Sequence, residues 1–77
     1  MPENNNSIDI SIIIPVFNEE SSITQVISDV HKAMELTNYV YEIVVVDDCS
    51  TDNTLTKMQD RKDLHNFWIF RGRLRRV

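Results

Sequence analysis

The sequence predicts an α/β fold, read as a β-α-β-α-β half of a doubly wound, mainly parallel sheet. Three observations lead there. Two apolar runs, Ile10 to Phe17 and Ile43 to Val46, each end in acidic residues. The stretch between them carries apolar residues at helical spacing. Short strand patterns alternate with helical ones, the order that builds parallel sheets with right-handed crossovers. In such sheets ligands bind beyond the carboxyl ends of the strands. If the two runs are parallel neighbours, their acidic ends share that edge.

The first strand is expected over Ile8–Phe17, rich in β-branched residues. Its continuous apolar centre, Ile12 to Ile14, predicts burial on both faces. Pro15 lacks a donor, so ladder pairing should end near it. Ser21 or Ser22 can cap the first helix. That helix points Ile23, Val26, Ile27, Val30, Ala33 and Met34 inward and ends near residues 36–38. The second strand is Tyr41–Asp47, and residues 49–53 form a polar turn. Ser50, Thr51 or Asp52 can cap a second helix over Thr54–Asp60, with Leu55 and Met58 inward. Asn66–Phe70 is the third strand, and its aromatics Phe67, Trp68 and Phe70 read as strand packing.

Size and charge narrow the function classes. The chain has 77 residues, at most one small domain. A chain of this length buries only about 60% of its unfolded surface. Its lone cysteine, Cys49, excludes an internal disulfide and fits a reducing compartment. Residues 1–70 hold all twelve acidic side chains against four basic ones. An acidic body argues against nucleic-acid binding, which rests on cations meeting phosphates. Residues 71–77 add four arginines, read as a solvated basic tail. No apolar run approaches the roughly 20 residues of a membrane span. Residues 1–7 are polar, with no secretory signal, and read as a disordered leader.

The chemistry concentrates in two segments. Asp47-Asp48-Cys49-Ser50-Thr51-Asp52 places carboxylates at a strand end. There they can accept a proton from a base N–H, bind ribose hydroxyls or sit near a cation. Two adjacent Asp repel each other, a cost that asks for a reason. Asp48 or Asp52 can instead close the turn and cap the next helix. In Pro15-Val16-Phe17-Asn18-Glu19-Glu20, Phe17 can stack on a flat base or simply pack in the core. Glu19 can hold a ribose, and Glu20 can complement a helix dipole. His31 and His65 lack a second ligand at metal spacing and read as surface residues. Cys49 has no nearby His to act as a base.

Together, Ser11-Ile12-Ile13-Ile14-Pro15-Val16-Phe17-Asn18-Glu19-Glu20 and Tyr41 through Thr54 resemble the start of the family 2 glycosyltransferases. These are inverting enzymes of the GT-A fold. The likeness is closest to the dolichyl-phosphate mannose synthase and polyprenyl-phosphate glycosyltransferase branch, and covers roughly residues 8–60. The resemblance implies a Rossmann-like nucleotide-binding half, with residues 8–70 a partial nucleotide-sugar-binding domain. It implies nucleotide-sugar contacts from Pro15, Phe17, Glu19, Asp47 and Asp48. It implies a UDP- or GDP-linked sugar donor, a possible polyprenyl-phosphate acceptor, and a site in the cytoplasm or on the cytoplasmic face of a membrane. The family position of Cys49 is most often Gly. The family's D-x-D ligands for Mg or Mn, and its catalytic base, are not found in this sequence. That absence reads as a truncated, inactive product. Two other readings stand beside it: a non-catalytic remnant or interaction module, and a receiver-type signalling domain with Asp47–Asp48 as its acidic pair.

Overall fold

The computed structural model describes residues 7–61 and 63–73. Apart from Ser7 the expected leader lies outside them, as do residues 74–77 of the expected tail. The element order is β1 (Ile10–Val16), α1 (Ile23–Glu35), β2 (Tyr41–Asp47), α2 (Thr54–Gln59) and β3 (Phe67–Arg71). All three strands are parallel, in the order β1-β2-β3. The chain is therefore a Rossmann-like α/β half. Both crossovers step the same way across the sheet, so right-handed connections put α1 and α2 on one face.

That arrangement corrects the expectation that β1 is buried on both faces. Ile10, Ile12, Ile14 and Val16 face the helices, while Ser11, Ile13 and Pro15 are exposed. The same alternation buries Tyr41, Ile43, Val45 and Asp47 on β2. On β3, Phe67 and Ile69 pack on the core, but Trp68 and Phe70 are exposed on the open face. The core is completed by Ile23, Ile27, Met58 and Leu64. On α1 the inward stripe is Ile23, Ile27, Val30 and Met34, one residue per turn. Val26 and Ala33 flank that stripe and are exposed.

Pairing runs through Pro15, which sits opposite Val46. The backbone explains why. The Ile10 N–H donates to the Val40 carbonyl, and the Val16 carbonyl accepts from the Asp48 N–H. Even-numbered residues of β1 thus bond toward β2, and Pro15 lacks its donor only on the open edge. β3 runs one residue further than expected, so Arg71 belongs to the sheet.

His31 also departs from its surface reading. The Tyr41 hydroxyl lies 2.6 Å from His31 Nδ1 and donates to Glu35 Oε2 at 2.8 Å. The cluster ties the end of α1 to the start of β2. Burial first, then the Glu35 bond, pushes the Tyr41 phenol above its ordinary value. A raised value means folding favours the protonated phenol. This contribution is present below the ordinary tyrosine range and is lost as pH rises through the folded value. Tyr41→Phe is expected to cost about 0.5–1.5 kcal/mol in urea unfolding at neutral pH. It should also flatten the fall in stability above pH ~10.

Candidate functional site

The register Val16↔Asp47 aligns the carboxyl ends of β1 and β2. The loops leaving those ends, residues 17–22 and 48–53, then lie side by side. Their polar groups are joined in both directions. The Asn18 N–H donates to Ser50 Oγ at 2.9 Å, and Asn18 Oδ1 accepts from the Thr51 N–H at 2.8 Å. The Glu19 N–H donates to Thr54 Oγ1 at 2.8 Å. The Glu20 N–H donates to Asp52 Oδ2 at 3.3 Å, and Glu20 Oε1 accepts from the Asn53 N–H at 3.2 Å.

These bonds settle several local expectations. Ser22 is the N-cap of α1 but makes no side-chain cap; its hydroxyl donates to Glu19 Oε1 at 3.0 Å. Glu20 precedes α1 and instead serves the N-terminus of α2 through Asn53. Asp52 closes its turn, with Oδ1 accepting from the Thr54 N–H at 3.0 Å and from the Thr54 hydroxyl. The hydroxyl bond is the main cause holding the Asp52 carboxyl below its ordinary value, against burial.

The five residues expected to touch a nucleotide fall into two groups. Pro15, Phe17 and Glu19 are exposed, Phe17 at 51%. Asp47 and Asp48 are buried, Asp47 completely. Asp47 ends β2 on its helix-facing side, and Asp48 lies just beyond the strand. Asp47 is neutralised. Arg71, directly opposite it in register, places Nε 3.3 Å from Asp47 Oδ2. Asp47 Oδ1 accepts from the Ser50 hydroxyl and from the Ser50 N–H. Arg71 Nη2 then donates to the Ser50 carbonyl at 2.8 Å. Arg71, expected in the solvated tail, is therefore part of the edge.

Sequence reasoning missed Asn18, Ser50, Thr54 and Arg71 as the groups that hold this edge together. The available signal was positional: Asn18, Ser50 and Arg71 stand at or just beyond a strand end, and Thr54 opens α2 two residues after Asp52.

Asn18 and Cys49 adopt left-handed backbone, at φ 51° and 55°. Asn accepts that conformation readily; a Cys side chain is strained there by about 1–2 kcal/mol. Cys49 is exposed, so nothing packs against it in compensation. Cys49→Gly is expected to stabilise the chain by roughly 0.5 kcal/mol, after the greater freedom of unfolded Gly is deducted. A higher urea midpoint at unchanged slope is the readout.

Among the described residues no three His, Cys, Asp or Glu side chains come together to hold a metal ion. Among the same residues no helix is long and apolar enough to cross a membrane.

An open-faced parallel α/β half, with two acidic loops joined at its carboxyl edge, defines the class. A model described as glycosyl transferase family 2 matches residues 11–76. The undecaprenyl-phosphate 4-deoxy-4-formamido-L-arabinose transferase of Yersinia pestis (strain Pestoides F) is 39% identical over 67 residues. The match covers 83% of this chain and 20% of that protein. The protein of the same description from Yersinia pseudotuberculosis serotype IB (strain PB1/+) gives the same figures. That from Proteus mirabilis (strain HI4320) is 32% identical over 57 residues, 74% of this chain and 18% of that protein. The chain belongs to glycosyl transferase family 2. It spans about a fifth of the length of the curated relatives it matches.

Proposed function

We propose that this chain is the donor-nucleotide-binding part of an inverting glycosyltransferase. The donor is a UDP- or GDP-linked sugar, and the acceptor served by the whole enzyme is a polyprenyl phosphate. The observation that carries the reading is the parallel register of β1 and β2, which brings Phe17, Glu19 and Asp48 to one edge beside the Asp47–Arg71 pair. Family membership supports it, as do the relatives' names, which specify sugar transfer to undecaprenyl phosphate.

In this reading Phe17 offers a face to the base, and Pro15 stiffens the backbone just before it. Glu19 accepts from ribose hydroxyls. Its carbonyl already accepts the Ser22 and Ile23 N–H groups, so its backbone is fixed. Asp48 shapes the pocket wall. Asp47 keeps the edge in position and meets the base only if Arg71 yields. Any Mg or Mn would take its ligands from groups other than a cluster of the described residues. Sugar transfer is not expected of this chain alone. The place we assign is the cytoplasm or the cytoplasmic face of a membrane, where a nucleotide sugar and a lipid phosphate can meet.

The receiver reading is disfavoured by Arg71, a cation at the strand end opposite Asp47. Acetyl phosphate labelling of an aspartate would revive it. Calorimetric titration with UDP and GDP, with and without Mn²⁺, tests the main proposal. Phe17→Ala should weaken nucleotide binding by the roughly 1–3 kcal/mol typical of base–aromatic stacking, while the urea midpoint stays put because Phe17 lies outside the core. Absence of binding by the folded wild-type chain would remove the nucleotide assignment.

A further inference from the structure

Asn18 grips the second loop with both its backbone and its side chain. It stands between Phe17 and Glu19, the exposed residues of the first loop that meet the base and the ribose in the reading above. Its backbone N–H donates to Ser50 Oγ at 2.9 Å, and the Ser50 hydroxyl in turn donates to the buried Asp47 Oδ1. Its Oδ1 accepts from the Thr51 N–H at 2.8 Å, with the Thr51 hydroxyl and the Asp52 N–H each at 3.4 Å.

Chemistry fixes which way the amide faces. A backbone N–H can only donate, so the Asn18 oxygen, and not its nitrogen, must face Thr51 and Asp52. The backbone is left-handed there, at φ 51°, a conformation Asn adopts readily. Asn18 is exposed and lies outside the core, so these contacts serve the relative position of two loops and not burial.

We propose that Asn18 is a positioning residue for the donor nucleotide. The inference rests on the nucleotide reading of the site. Asn18 itself touches no ligand. It holds Phe17 and Glu19 in place against Asp48 before the nucleotide arrives, so the base and ribose contacts form without a loop having to order at that moment. A loop fixed beforehand gains affinity by avoiding that cost. The rival role is direct donation to the ligand by the amide Nδ2.

Two variants separate the roles. Asn18→Gly keeps the left-handed backbone and its N–H and removes the amide. Asn18→Asp keeps an acceptor oxygen for Thr51 and Asp52, tolerates the same backbone, and has no side-chain N–H to offer a ligand. The experiment is titration of the 77-residue chain with UDP, GDP, uridine and guanosine, followed by proton–nitrogen correlation spectra. The Thr51 and Asp52 amide signals report the grip before any ligand is added. In Asn18→Gly both signals should move, and the dissociation constant of the folded chain should rise roughly three- to tenfold. A merely structural role would lower the urea midpoint and leave that constant alone. Asn18→Asp should return both signals and the nucleoside affinity to their wild-type values. The nucleosides carry that comparison because they have no phosphate for the new carboxylate to repel. Circular dichroism should be the same for all three proteins. Wild-type binding that Asn18→Gly leaves unchanged overturns this inference and spares the nucleotide reading. Failed rescue by Asn18→Asp, with both amide signals at their wild-type positions, overturns it in favour of direct contact. A folded wild type that binds none of these ligands removes the nucleotide reading itself, and this inference falls with it.

Discussion

Arg71→Ala is expected to remove most of the chain's stability at neutral pH and room temperature. Asp47 is completely buried, and Arg71 is its ion-pair partner among the described residues. Removing the guanidinium strands a carboxylate in the interior, whose Oδ2 accepts no hydrogen bond among the described residues. Breaking a buried pair in this way costs about 3–5 kcal/mol. The low end applies, because the Arg71 side chain is 45% exposed. A core of this size supplies only about 3–5 kcal/mol in total. Asp47→Asn should be milder, near 1 kcal/mol, since Ser50 keeps a partner and Arg71 can turn to water. The asymmetry is the test. Combining the two substitutions should recover much of the stability lost in Arg71→Ala, because the stranded charge is gone. A double variant no more stable than Arg71→Ala, measured by urea unfolding, would contradict this account of the pair.

Thr54→Val is expected to cost about 1–3 kcal/mol with almost no change in volume. Thr54 is fully buried, and its hydroxyl works twice. It accepts from the Glu19 N–H and donates to Asp52 Oδ1. Valine leaves the Glu19 N–H without that partner and removes one of the bonds that join the two loops. It also removes the leading cause of the lowered Asp52 value. The sign follows from linkage. A carboxyl lowered by folding contributes stability above its ordinary value of 3.8, and this is lost as pH falls from there through the folded value. The wild type should therefore lose stability more steeply than Thr54→Val as pH falls below that ordinary value. Parallel slopes for the two proteins in that window would rule out the Thr54–Asp52 bond as their source of acid sensitivity.

Much of this fold was legible before the structure. The element order followed from periodicity, because β-branched runs and helical spacing are local properties. The second strand, Tyr41–Asp47, agrees to the residue. What was not legible depended on which face each strand turns to a neighbour. Ile12 to Ile14 look equally apolar, yet Ile13 is left open because both crossovers wind the same way. The same blindness made Trp68 and Phe70 look like strand packing, although both are exposed. At the site, the carboxylates were visible and their partners were not. Arg71 looked like the first residue of a basic tail because its meaning lies in register with Asp47, 24 positions earlier. At Cys49, where the family resemblance implies Gly, a Cys reads as altering the turn slightly, yet the backbone keeps the left-handed conformation that Gly tolerates.

The bonds that join the two loops all bridge long stretches of chain. Asn18 reaches Ser50 across 32 positions, and Glu19 reaches Thr54 across 35. Neither loop can take its working shape from its own neighbours. Closing so long a span costs chain entropy before any of these contacts repays it. On the ribosome, the rim near Asn18 must wait until Thr54 has emerged before it can set. In the finished molecule, that rim is where thermal opening should begin, and amide exchange at Asn18 and Glu19 should outrun exchange at Ile43 and Val45.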